Sequence, residues 1–211
     1  MSENLFIRIF SSILLFIVSI YIIIKGNIFF NIFIILLLMI SLLEWYKMSY
    51  NRYYYLPGLL FLIISFYTAY LIRNDFNVFY FLMIFFICIL TDIGGYIFGK
   101  IIKGPKLTKI SPNKTYSGAL GGLLLSLLGS WIFYNWSIDI LIKPNLTISN
   151  LFIISIFISI ISQIGDLAVS LFKRLSNLKD TGNIIPGHGG ILDRVDGMIF
   201  AFPISFLLNI F

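Results

Sequence analysis

"LFIRIFSSILLFIVSIYIIIKGN", residues 5 to 27, decides how the rest of the chain is read. Leu5 to Ile24 gives the run of about 20 predominantly apolar residues that a helix needs to cross a bilayer core. A secretory leader looks similar but ends at a small-residue cleavage site. None follows here, and Lys25 leads straight into a second apolar run. The expectation is a retained helix and a chain that stays in the membrane.

The remaining residues agree. The chain has 211 residues, of which 59% are hydrophobic and 11% charged; globular domains run at roughly 45–50% apolar and about 25% charged. Mean hydropathy is +0.99. Apolar runs predict seven spans, near 5–24, 28–43, 56–72, 77–98, 117–135, 150–170 and 191–210. The expected fold is therefore an all-α polytopic integral membrane protein. Residues 1–75 read as N-terminal, structural helices and residues 76–211 as the catalytic region. Basic residues sort between the loops: ten lie in the even ones (Lys47, Arg52, Lys100, Lys103, Lys106, Lys109, Lys114, Lys173, Arg174, Lys179) and three in the odd ones (Lys25, Arg73, Lys143). By the positive-inside rule the even loops and the N-terminus face the cytoplasm. The net charge of +6 is thereby read as topological, with no nucleic-acid partner implied. Tyr46, Tyr50 and Tyr53 to Tyr55 fit an interfacial aromatic belt. Cys88, the single cysteine, reads as core filler. Glu44 stands at a span end, where water can reach it, and is given no role.

Polarity concentrates in the second half. Asp92 and Asp166 interrupt apolar helices, and an ionisable group at membrane depth costs about 2.5–3.5 kcal/mol on insertion scales, so it implies a pathway, a partner or a metal. Asp166, Ser170 and Lys173 or Arg174 recur at helical spacing and share one face. Asp193 and Asp196 stand three apart where the last span begins. Carboxylates that close need a positive charge between them. Hard oxygen ligands on facing helices suit Mg²⁺, which keeps positions open for water and phosphates; neutralisation by Arg194, Lys173 and Arg174 is the other reading. In "SPNKTYSG", Ser111, Lys114, Thr115 and Ser117 cluster hydrogen-bonding groups able to hold a polyphosphate, with Lys114 as point charge. Walker A glycine spacing is absent. His188, in "PGHGG", is a proton carrier, a phosphate contact or a turn residue, and its flanking glycines let backbone N–H groups approach a ligand. Gly95/Gly99 and Gly118/Gly122 are small-xxx-small pairs expected to pack helices closely.

"SLFKRLSNLKDTGNIIPGHGGILDRVD", Ser170 to Asp196, resembles the signature of the phosphatidate cytidylyltransferase (CDP-diacylglycerol synthase) family. The fixed positions are filled by Ser170, Lys173, Arg174, Lys179, Asp180, Gly182, Pro186, His188, Gly189, Gly190, Asp193, Arg194 and Asp196. "TDIGGYIFGKIIKG", "ISPNKTYSGALGG" and "QIGDL" resemble upstream motifs, so the similarity covers residues 91–200. Ser117 departs from the Glu that many members carry, and the N-terminal region is shorter than in common bacterial members.

The resemblance implies cytidylyl transfer from CTP to phosphatidic acid at the cytoplasmic side of an inner membrane, and a possible homodimer. By the resemblance its metal centre maps onto Asp166 and Asp193, with Asp196 behind, for Mg²⁺, with K⁺ as a second candidate cation. Lys173, Arg174 and Arg194 would neutralise phosphates beside Asp193, and Ser111, Lys114 and Thr115 would cradle the CTP tail. Ser170, Lys179, His188, Gly189 and Gly190 would complete the substrate surface. The rival readings are an ion-coupled transporter using Asp92, Asp166 and Asp193 as a relay, and a nucleotidyltransferase for another lipid phosphate.

Overall fold

The computed structural model describes residue 14 and residues 16–108, 111–136, 146–184 and 189–210. It is helical: α1 (Phe16–Lys25), α2 (Asn27–Ser49), α3 (Tyr55–Leu71, continued by a π turn over Ile72–Phe76), α4 (Val78–Ile101), α5 (Tyr116–Trp136), α6 (Ile148–Leu175), α7 (Leu192–Val195) and α8 (Met198–Leu207). Among the described residues, five helices are long and apolar enough to cross a membrane: α2, α3 with its π turn, α4, α5 and α6. This is a multi-pass membrane protein.

One expected span comes out differently, and another lies partly outside the described residues. Of the first, residues 5–13 and 15 lie outside them, and the rest includes the ten-residue α1. The last is split. A four-residue α7 and a ten-residue α8 meet at Asp196 and Gly197, and ten residues rise only about 15 Å. At the junction the Gly197 N–H donates to Asp196 Oδ1 at 2.8 Å, and Gly197 lies against α6, where a Cβ would stand 2.2 Å from Ser162 Oγ. Pro203 inside α8 has no N–H for the Ile199 carbonyl four residues back. The Ser65 hydroxyl, 2.7 Å from that oxygen, supplies the missing donor.

Side-chain caps begin two helices. Asn77 Oδ1 accepts from Phe79 N–H at 2.9 Å to start α4, and Thr147 Oγ1 accepts from Asn150 N–H at 3.3 Å to start α6. Gly26, at φ +67°, turns α1 into α2 beneath the Arg73 guanidinium, which donates to the Ile23 carbonyl at 3.1 Å.

The small residues of α4 and α5 do what their spacing predicted. A Cβ on Gly118 would stand 2.6 Å from the Gly95 carbonyl, and one on Gly122 would stand 2.6 Å from the Thr91 carbonyl. Gly94 and Gly121 join the same seam, with a Gly94 Cβ 2.7 Å from the Gly121 oxygen. Backbones meet there without side chains between them. Buried hydroxyls tie α6 to both neighbours: Ser155 to Ser130 at 2.8 Å and Thr91 to Ser159 at 2.9 Å. The apolar core (Phe30, Leu62, Phe79, Ile84, Leu151, Ile158) runs between these helices, and Cys88 is buried in it.

The ends of α2 and α6 are drawn together. Trp45 packs on Phe172 with ring centroids 5.2 Å apart, and Tyr54 Oη lies 2.9 Å from Ser176 Oγ. Tyr54 is buried, so it leaves the expected belt; Tyr46, Tyr50 and Tyr53 are exposed.

Candidate active site

The loop from Ser176 to Ile191 leaves α6 and returns into α7, and two carboxylates fix its base. Asp193 is the first. Its Oδ1 accepts from Lys173 Nζ at 2.7 Å, and its Oδ2 from the backbone N–H groups of Thr181 at 2.8 Å and Gly190 at 3.1 Å. Asp193 belongs to α7, outside the five long helices. Burial would raise its carboxyl, but the Lys173 hydrogen bond and the two N–H groups outweigh that and hold it below the usual carboxylate range. The Lys173–Asp193 pair is well enclosed, at 12% and 7% side-chain exposure.

Glu44, on α2, is the second carboxylate. Expected at the water's edge, it is instead 2% exposed. Oε2 accepts from the Thr181 hydroxyl at 2.8 Å and from Leu192 N–H at 2.8 Å, and Oε1 accepts from Ile191 N–H at 2.9 Å. The α2 helix runs to Ser49, so Glu44 lies inside the helix rather than past its end.

The signature glycines follow from this crowding. Gly190 has no room for a Cβ, which would stand 2.2 Å from Thr181 Oγ1 and 2.4 Å from Glu44 Oε2. At Gly182 it would stand 2.7 Å from Glu44 Oε1. Gly189 has φ +84°, a conformation that side-chain-bearing residues seldom adopt. His188 lies outside the described residues. Lys179 and Asp180 are exposed on the loop, and Arg174, also exposed, donates to the Leu178 carbonyl at 3.0 Å.

The second polar segment approaches along α6. Lys114 pairs with Asp166, each about a quarter exposed, and Ser170 Oγ lies 3.4 Å from Asp166 Oδ1, as the helical stripe required. A tight turn presents Lys114: Leu107 N–H donates to its carbonyl at 2.8 Å, and its own N–H donates to the Ser111 carbonyl at 3.1 Å. Thr115 Oγ1 accepts from Gly118 N–H at 3.1 Å at the start of α5. Ser117 Oγ donates to the Lys103 carbonyl, so its hydroxyl secures the loop.

Asp196 is buried. Its side chain meets Asp166 and feels the charge of Asp92; Asp92 in turn faces Asp166, Lys114 and Arg194. Gly165 permits the approach, since a Cβ there would lie 2.8 Å from the Asp196 carbonyl. Lys114 thus pairs with Asp166 and its charge reaches Asp92, Asp196 meets Asp166 and feels the charge of Lys173, and Asp193 is turned toward Lys173 and the loop. Among the described residues no three Asp, Glu, His or Cys side chains are already arranged as a metal cage. The donor chemistry still suits Mg²⁺, which needs only one or two carboxylates when phosphates complete its shell. Asp166 carries an exchangeable ammonium where such a cation would bind. Asp193 would have to give up Lys173 or an N–H to serve as ligand.

Beside these acids opens a cavity of about 610 Å³. Asp92, Asp193 and Arg194 line one part of it, and Phe33, Phe66, Phe81, Ile89 and Phe202 are among its apolar lining.

Fold and site together define a polytopic membrane protein that brings acids of its helices and lysines together beside a largely apolar cavity. The chain belongs to the cytidylyltransferase family, whose profile matches residues 59–211. It is 39% identical over 225 residues to the phosphatidate cytidylyltransferase of Rickettsia felis, covering 99% of this chain and 93% of that protein. The phosphatidate cytidylyltransferase of Rickettsia bellii is 39% identical over 98% of this chain and 91% of its own length. That of Staphylococcus haemolyticus is 40% identical over 80% of this chain and 64% of its own.

Proposed function

We propose that this chain is a phosphatidate cytidylyltransferase, transferring the cytidylyl group of CTP to phosphatidic acid and releasing pyrophosphate. The near-full-length similarity to enzymes of that name carries the reading, and the arrangement of cations and acids supports it.

The phosphate monoester of the lipid has a second pKa near 6, so at neutral pH it is already a nucleophile and needs no strong general base. One of its oxygens bonds to the α-phosphorus of CTP as the bond from that phosphorus to the bridging oxygen breaks. Pyrophosphate leaves with the electron pair. The barrier is the approach of two anions, so the protein contributes positioning and charge neutralisation. Lys114, on its turn with Ser111 and Thr115, exchanges Asp166 for the triphosphate. Arg194, which lines the cavity, neutralises phosphate charge while acyl chains lie along the apolar walls. Lys173 and Arg174 add positive charge, and Lys173 also holds Asp193. Ser170, Lys179, His188, Gly189 and Gly190 complete the anion-facing surface, with the Gly190 N–H itself committed to Asp193. Mg²⁺, held by Asp166 and Asp193 with Asp196 behind, would supply Lewis acidity to the triphosphate; K⁺ is a second candidate cation.

The catalytic groups belong to residues 76–211, with residues 1–75 as scaffold. The polar face looks to the cytoplasm of an inner membrane, where CTP is available, and a homodimer is the expected assembly. Washed membranes test the reading. Wild type forms CDP-diacylglycerol from CTP and phosphatidic acid, and Asp166→Asn, present in equal amount, does not. This substitution spares the Asp193 contacts that shape the loop. No product from wild type would overturn the proposal, and retention of full rate by the variant would overturn the metal assignment.

A further inference from the structure

Glu44 lies outside the stretch matched by the family profile, which begins at residue 59, and on the scaffold side of the chain. It nevertheless holds both ends of the signature loop. Thr181 is gripped twice, its N–H by Asp193 and its hydroxyl by Glu44. On the returning strand, Gly190 N–H goes to Asp193, and Ile191 and Leu192 N–H go to Glu44. The base of the loop, at Thr181 and at Gly190 to Leu192, is therefore closed by two carboxylates on different helices.

Only a carboxylate meets this need. Three donors converge on two oxygens, and an amide offers one oxygen and an NH₂ group. Whichever way a glutamine turned, an N–H of Ile191 or Leu192 would face a donor. Among the described residues no lysine or arginine forms a salt bridge with Glu44, so the loop's own N–H and O–H groups are what stabilise its charge. Gly182 and Gly190 are reduced to hydrogen at the points where Glu44 enters.

Building on the cytidylyltransferase reading, we infer that Glu44 is a positioning residue: it clamps the base of the signature loop so that Arg194, Asp193 and Gly189 stay presented to the nucleotide phosphates. It touches no substrate. Its loss misplaces groups that meet CTP, whereas the apolar walls that receive the lipid chains are unaltered.

The test compares wild type with Glu44→Gln, Glu44→Asp and Thr181→Val in detergent–phosphatidate micelles, determining KM separately for CTP and phosphatidic acid. The expected result is a CTP KM at least tenfold higher in Glu44→Gln, a phosphatidic acid KM within twofold, and an intermediate value in Glu44→Asp, which keeps two acceptor oxygens. A merely structural role would lower the amount of folded enzyme and move neither KM. If Glu44→Gln does not fold, Thr181→Val decides: removal of one donor should raise the CTP KM about threefold, following a lost hydrogen bond of modest net worth. An unchanged CTP KM in the folded variants overturns the inference. A wild type that forms no CDP-lipid overturns the enzyme reading instead. Amide exchange at Ile191 and Leu192 then judges the clamp: tenfold faster exchange in Glu44→Gln supports it, and unchanged exchange refutes it.

Discussion

Exchanging Asp193 for asparagine and Lys173 for methionine, singly and together, tests whether that pair builds the loop. In Asp193→Asn the amide oxygen can replace only one carboxylate oxygen. If it faces Lys173, the NH₂ group points at the N–H donors of Thr181 and Gly190, which lie 2.8 and 3.1 Å from Oδ2. If it is flipped, the NH₂ group points at the ammonium. Lys173→Met leaves a carboxylate at 7% exposure with two N–H donors and no cation. Breaking a buried pair from one side costs about 3–5 kcal/mol. At about 2–4 °C of Tm per kcal/mol for a chain of this size, each single variant should melt about 6–20 °C below wild type. The double variant should cost no more than the worse single one, because partners in one ion pair are not additive. Thermal unfolding of detergent-solubilised protein, followed by tryptophan fluorescence and by recovery on size exclusion, reads all three. Additive losses, or a single variant that melts with wild type, would refute the reasoning.

Gly122→Ala should destabilise by about 1–3 kcal/mol through overpacking, because its Cβ meets the Thr91 carbonyl at 2.6 Å, whereas Gly95→Ala, with its nearest neighbour at 3.8 Å, should melt with wild type. Lys114→Ala should raise the CTP KM about tenfold or more, in line with a charge-assisted contact of about 1.5–3 kcal/mol, and leave the KM for phosphatidic acid within twofold. Chelation of divalent cations should abolish turnover, and added Mg²⁺ should restore it; full rate in excess chelator would exclude the role given to Asp166.

Acids and lysines stand out in a chain this apolar, so the second half was legible residue by residue. Helical spacing placed Asp166 beside Ser170, and the paired glycines of α4 and α5 foretold backbone contact. Glu44 was missed because its burial is tertiary. By interrupting the apolar run it also set the expected end of the second span at residue 43, whereas α2 continues to Ser49. Lys47, one turn away, offered a local neutralising partner that the fold does not use. The useful signal was its placement in "SLLEWYK", an acid next to a tryptophan that packs inward. The last span failed for a related reason: hydropathy joins α7 to α8, whereas at their junction the Gly197 N–H turns to the Asp196 carboxylate and Gly197 lies against Ser162 on α6.

The separation of Glu44 from its partners has a consequence for biosynthesis. Thr181, Ile191 and Leu192 follow it by 137, 147 and 148 residues. At about 5–20 residues per second, the ribosome needs about 7–30 s to supply the last of them. Until then, with α2 already made, its carboxylate lacks its full set of donors. Water near the headgroups must solvate it until the loop has been made. Competence therefore arrives late and all at once, when residue 192 has been made and the loop can close on an acid that entered the membrane long before.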